Sequence, residues 1–94
     1  MSQKAALHAV IYGRVQGVNF RYFVLRHATA LGLTGYVRNL YLEGAVEVRA
    51  EGAGEKLVQL LRQLEIGPRR AMVERVAVSW SEFKGAYSRF EVRF

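Results

Sequence analysis

The 94-residue sequence has no cysteine and no aspartate, and its only histidines are His8 and His27. Without cysteine the chain can form neither a disulfide nor a thiolate metal site, and it cannot form a phosphocysteine. Without aspartate it can form no aspartyl phosphate, and it lacks the Asp/His cluster that holds a two-metal centre. We therefore expect no metal site. Any phosphate chemistry on this chain would depend on positioning and electrostatics.

The sequence also lacks an apolar run long enough to cross a bilayer. Residues 1–6 are not followed by the apolar segment and cleavage site of a signal peptide. Hydrophobic residues make up 51% of the chain and charged residues 23%, a composition that suits one folded core of this length. We therefore predict a single domain over residues 1–94, a cytoplasmic location and no membrane partner, and we expect a monomer.

The charge balance is basic, with 14 lysines and arginines against 8 glutamates, which gives a formal net charge of +6. Such a balance favours anionic partners through long-range attraction. It does not distinguish a small phosphate compound from a nucleic acid, so an enzyme and a nucleic-acid-binding module both remain open at this point.

The spacing of apolar residues predicts five strands and two helices. Alternation predicts strands over 7–12, 34–40, 45–51, 71–81 and 90–94. Helical spacing predicts helices over 20–31, which Gly32 ends, and over about 55–64. This order predicts an α+β, ferredoxin-like βαββαβ sandwich: a mainly antiparallel sheet with two helices on one face and a short extra C-terminal strand.

The same spacing predicts which side chains face the core. In the third strand the apolar residues of 45–51 should face inward, and Glu47, Arg49 and Glu51 should face outward. In the second helix the apolar face should consist of four residues: Leu57, Val58, Leu61 and Leu64.

A glycine-punctuated loop between the first strand and the first helix carries the clearest chemical signal. It reads Gly13-Arg14-Val15-Gln16-Gly17-Val18-Asn19-Phe20-Arg21. Backbone N–H groups in such a loop and at a helix start can converge on an anion. The planar guanidinium of Arg21 could bind two phosphate oxygens at once. A plain strand-to-helix connection is the alternative, but an arginine at the helix start with no acid nearby favours an anion site.

This loop resembles the acylphosphatase signature G-x-V-Q-G-V-x-F-R at every fixed position, and Gly35-Tyr36-Val37-Arg38-Asn39 matches a second motif, G-[YW]-V-x-N. The resemblance implies the ferredoxin-like fold, hydrolysis of acyl phosphates and no cofactor. It also implies that Arg21 binds the phosphate and that Asn39 positions the attacking water. The implied phosphate-binding loop consists of Val15, Gln16, Gly17, Val18, Asn19 and Phe20.

The hairpin after Asn39 departs from the family pattern. Gly44 comes one residue later than usual, and Ala45 stands where a hydroxyl-bearing residue is common. These differences bear on the catalytic rate more than on the kind of reaction.

The expected reaction needs little from acid–base groups, because the leaving carboxylate has a pKa near ~4–5. A phosphate oxygen of the substrate could itself accept the proton of the water. Inorganic phosphate should be both product and competitive inhibitor. We expect His8 and His27 to be packed or half-exposed, and Arg38 to be solvated on the sheet face opposite Asn39.

The nucleic-acid alternative would use aromatic residues interleaved with arginines as a stacking platform. The candidates are Tyr12, Tyr36, Trp80 and Tyr87. No RNA-binding signature accompanies them, so we disfavour a nucleic-acid partner.

Overall fold

A computed structural model describes residues 3–94. The elements follow in the order β1 (Lys4–Arg14), α1 (Phe20–Ala30), β2 (Thr34–Leu40), β3 (Ala45–Ala53), α2 (Gly54–Ile66), β4 (Met72–Glu82) and β5 (Phe90–Arg93). They form one sheet in the order β4-β1-β3-β2-β5, in which only β2 and β5 pair in parallel. The predicted ferredoxin-like fold, including the extra C-terminal strand, is confirmed.

The core lies between the sheet and the two helices. From β1 it takes Leu7, Ala9 and Ile11, all at most 2% exposed, because alternate residues of a strand point to the same face. Phe20 from α1 and Leu57 from α2 pack into the same cluster. Burying a side chain of this size contributes about 1.5–3 kcal/mol relative to leaving it exposed, so this layer accounts for the position of both helices.

The buried face of α2 differs from the prediction. Leu57, Leu60 and Leu64 are fully buried, whereas Val58 is 40% exposed and Leu61 is half-buried. Val58 lies about 100° round the helix from Leu57 and therefore on the flank of the stripe that faces the sheet. All five of these residues are apolar, so their spacing alone did not show which of them face the sheet.

Two glutamates of β3 were predicted to face outward, and they do point away from the helices, but both are buried: Glu47 is 7% exposed and Glu51 is 4% exposed. Both do lie on the sheet face without helices. The segment after β4 covers Glu51, which accepts hydrogen bonds from the backbone N–H groups of Lys84 and Ala86, each at 2.9 Å.

Glu47 is the centre of a hydrogen-bonded cluster on this helix-free face. It accepts from His8 Nε2 at 2.8 Å, from Arg38 Nε at 2.6 Å and from the Tyr36 hydroxyl at 3.2 Å. Arg38 was predicted to be solvated on this face; the face is correct, but its guanidinium is paired with Glu47. Burial raises the pKa of Glu47, but the three donors and the Arg38 charge outweigh burial and hold that pKa below its ordinary value.

Candidate active site

Residues 15–19 form the loop that leads from β1 into α1. Gly17 (φ 71°) and Asn19 (φ 66°) both adopt the left-handed conformation, and Asn19 precedes the first residue of α1 without capping it through its side chain. The backbone N–H groups of residues 15–19 donate to no other group within residues 3–94. Free N–H groups therefore gather beside the helix start, where the helix dipole adds positive potential.

Gly13 lies just before the loop and affects it through the backbone of β1. It lies within β1 at an irregularity of the β1–β4 ladder, with a φ of 129°. A Cβ at this position would collide with the backbone carbonyl of Met72 on β4. Glycine is therefore required for β1 to stay paired with β4 up to the point where the loop begins.

A cavity of about 230 Å³ opens beside the loop and brings the two principal predicted residues together. Arg21 from α1 and Asn39 from the end of β2 both line it. So do Tyr22 and four of the predicted loop residues, Val15, Gly17, Asn19 and Phe20. Gln16 and Val18 were predicted as part of the same loop but do not line the cavity: Val18 packs against the hydrophobic core.

Arg21 brings a positive charge to the cavity that no acid neutralises. No salt bridge within residues 3–94 involves Arg21. Its Nη1 donates weakly, at 3.5 Å, to the backbone carbonyl of Arg93, and its guanidinium lies 4.6 Å from the centre of the Phe94 ring. These contacts steady the side chain while leaving its charge available to an anion.

Asn39 also lines the cavity and lies one residue before the end of β2. Its Nδ2 donates to the Tyr41 hydroxyl at 3.4 Å, a weak bond within the hairpin. The Oδ1 atom accepts no hydrogen bond from the described part of the chain. A neutral amide oxygen in this position can accept a hydrogen bond from water without repelling an anion.

Gln16 has a side-chain role that sequence reasoning missed. Its Nε2 donates to the backbone carbonyls of Leu40 at 3.1 Å and Ala45 at 2.9 Å, the two residues that close the β2–β3 ladder. The partners lie 24 and 29 residues away, so no local pattern in the sequence signals the contact.

The four aromatic residues considered for nucleic-acid stacking do not share a surface. Trp80 pairs with the buried Leu7 and so faces the helix side of the sheet, whereas Tyr36 is on the other face and only 7% exposed. Tyr87 packs edge-on against Tyr36, with ring centres 6.0 Å apart. A covered ring cannot stack on a base, so Tyr36 is not suited to such a platform.

The residues the structure describes contain no group of three or more His, Cys, Asp or Glu side chains that could hold a metal ion. In addition, none of the described helices has the length and hydropathy to span a membrane.

Comparison with known proteins identifies the family of the chain. The acylphosphatase family model matches residues 7–92. An acylphosphatase of Caldanaerobacter subterraneus subsp. tengcongensis is 46% identical over 89 residues, which cover 95% of this chain and 98% of that protein.

Two solved structures are similar over almost their whole lengths. An acylphosphatase from Coxiella burnetii has a TM-score of 0.90 and 37% identity, and covers 97% of this chain and 94% of its own. The acylphosphatase from Bacillus subtilis has a TM-score of 0.91 and 32% identity, and covers 96% and 99%. The family model and these likenesses lead to one conclusion: the chain belongs to the acylphosphatase family.

Proposed function

We propose that this acylphosphatase cleaves the carboxyl–phosphate anhydride by in-line attack of a water molecule, giving a carboxylate and inorganic phosphate. The proposal depends on one observation: Arg21, Asn39 and the loop with free N–H groups all line the same cavity. A cation and N–H donors, together with a neutral amide, suit an anionic substrate and a water molecule.

The phosphate half of the substrate is bound by Arg21 and the loop. The guanidinium contacts two oxygens, and the N–H groups of residues 15–20 contact the others. Charge on the equatorial oxygens persists through the loose transition state of phosphoryl transfer, so the same contacts act in binding and in catalysis.

The water is held by Asn39. Its Nδ2 donates to Tyr41, which leaves Oδ1 free to accept a hydrogen bond from the incoming water. Placing the water in line supplies much of the rate enhancement, since a well-oriented attack avoids the entropy cost of a random encounter. The leaving carboxylate needs no general acid, and a phosphate oxygen of the substrate accepts the water proton.

The proposal includes metal independence, and the test uses acetyl phosphate. Turnover should be unchanged in the presence of EDTA, because each step is assigned to Arg21, Asn39 or backbone N–H groups. Loss of turnover with EDTA and its recovery with a divalent ion would contradict the mechanism.

Inorganic phosphate provides a second measurement on the same preparation. It should inhibit competitively, because it shares the half of the substrate that the loop and Arg21 bind. Noncompetitive inhibition would place the anion site elsewhere. Sedimentation of the same preparation tests the expected monomer.

A further inference from the structure

We infer that the Gln16 side chain is a positioning residue that ties the Asn39 end of β2 to the phosphate-binding loop. The inference rests on the proposed function, in which the loop holds the phosphoryl group and Asn39 holds the water. These two groups come from different parts of the chain, and in-line attack requires that they keep a fixed separation. Gln16 is the side chain that connects them.

The contact uses the whole donor capacity of the Gln16 carboxamide. Its two N–H bonds account for the two hydrogen bonds from Nε2, one to Leu40 and one to Ala45. Leu40 follows Asn39 directly, and Ala45 is its partner across the ladder. One side chain therefore holds both strands of the hairpin at the end of the β2–β3 ladder, directly after Asn39.

Within residues 3–94, no other hydrogen bond joins the loop to the hairpin. The N–H groups of residues 15–19 make no hydrogen bond within the described chain, so Val15 and Phe20, 1% and 2% exposed, anchor the loop by packing alone. Apolar packing fixes the ends of the loop but is not directional. The hydrogen bonds of Gln16 are directional and orient the loop toward the hairpin.

The turn between β2 and β3 does little to fix the position of Asn39. It is exposed, and Leu42 at the tip is fully so. Within the turn, the Gly44 N–H donates to the Tyr41 carbonyl at a long 3.3 Å. The position of Asn39 is therefore better fixed by the Gln16 bridge at the base of the hairpin than by the turn beyond it.

Gln16 does not line the cavity, so its side chain should not contact the substrate. Removing its donors should leave phosphate binding nearly intact and lower kcat. We expect Gln16→Met, which keeps the length of the side chain, to reduce kcat by ~10-fold to ~10²-fold, the effect of a small misplacement of a reacting group. The inhibition constant of inorganic phosphate should change by less than about threefold.

Gln59→Met, the same substitution on the exposed side of α2, is the matched control and should keep full kcat. Gln16→Ala is a second variant in case Gln16→Met does not fold. It leaves room for water to hydrogen-bond to the carbonyls of Leu40 and Ala45. The tether is then removed, but the two carbonyl oxygens still have a hydrogen-bond donor.

A double-mutant cycle tests whether Gln16 acts through Asn39. In an Asn39→Ala background, the Gln16 substitution should change kcat by less than about twofold, because the group that it positions is already absent. Three results would overturn the inference: multiplicative losses in the double variant, an unchanged kcat with only a lower melting temperature, or a phosphate inhibition constant that rises as much as kcat falls.

Failure of the proposed function gives a different pattern. If Asn39→Ala alone turned over normally, the water-positioning role would be lost, and the inference about Gln16 with it. If Asn39→Ala lost turnover but the Gln16 loss multiplied with it, only the inference about Gln16 would be wrong.

Discussion

Arg21 and Asn39 line the same cavity, yet the proposed mechanism gives them separable tasks. Arg21 carries an unneutralised charge, and Asn39 is a neutral amide held by a neighbour in its own hairpin. A charge attracts the anionic phosphate in both the ground state and the transition state. An amide that touches only the water should contribute to the transition state alone.

Substitution of the two residues should separate binding from turnover. Arg21→Ala should abolish phosphate binding and turnover together, and Arg21→Lys should be poor as well, because an ammonium cannot make the planar two-point contact. Asn39→Ala should keep phosphate affinity while kcat falls by ~10² or more, typical of losing one positioned hydrogen-bonding group. Calorimetry with phosphate and steady-state kinetics measure the two quantities. Equal loss of phosphate binding in both variants would make Asn39 a ligand contact.

The Glu47 cluster predicts how stability depends on pH. Because the folded pKa of Glu47 is below its ordinary value of 4.5, the carboxylate stabilises the fold above that value. This contribution is lost as the pH falls through the lowered folded pKa. The buried Tyr36 hydroxyl has a raised pKa, from burial and the Glu47 charge, and remains a donor throughout this range.

Glu47→Gln should therefore be less stable than the unsubstituted protein at pH 7, and the gap should narrow below about pH 4.5. Urea unfolding at a series of pH values measures the gap, and comparison with the variant cancels the general acid destabilisation of a basic protein. In an Arg38→Gln background, the difference in stability between the protein with Glu47 and Glu47→Gln should be smaller at neutral pH. The reason is that one of the donors that lower the pKa of Glu47 has been removed. A gap that stays constant from pH 7 to pH 3 would contradict the assignment.

The orientation of α2 can be tested by truncating two residues of the same helix. Leu60→Ala should cost about 2–5 kcal/mol, because it leaves a cavity at a fully buried site. Val58→Ala should stay within about 0.5 kcal/mol, since Val58 lies on the exposed flank. Urea unfolding of both variants gives the comparison. Similar losses at the two positions would favour the apolar face that the sequence predicted, centred nearer Val58 and Leu61.

The strands and helices could be predicted largely because their signals are local. Alternation identified β2 with the same bounds that the structure has, residues 34–40. It predicted β1 only over 7–12, whereas the strand runs Lys4–Arg14. The predicted strand ended before Gly13 because glycine normally weakens a strand, but here Gly13 packs against the backbone of Met72 and the pairing continues. The meeting of Arg21 and Asn39 in one cavity was also predicted, through the two family motifs that contain them.

The contacts that escaped prediction join distant parts of the chain. Gln16 reaches the hairpin, Glu47 reaches His8 across 39 residues, and Glu51 is covered by backbone 33 to 35 residues later. None of these pairs has a periodic signature, and a glutamate on the helix-free face is ordinarily solvated. Only the folded arrangement of the sheet shows that these polar groups are buried and paired.

The position of β1 between two strands of the sheet has a consequence for how the protein folds. β1 pairs with β3 on one side and with β4 on the other, and the register Leu7↔Trp80 joins residues more than 70 positions apart. Such distant pairing must close a long loop before it gains any stabilising contact, so we expect refolding on the millisecond-to-second timescale typical of sheets with many non-local pairs. Trp80, the only tryptophan, lies in β4 at this junction, and its fluorescence should report the moment at which β4 closes onto β1.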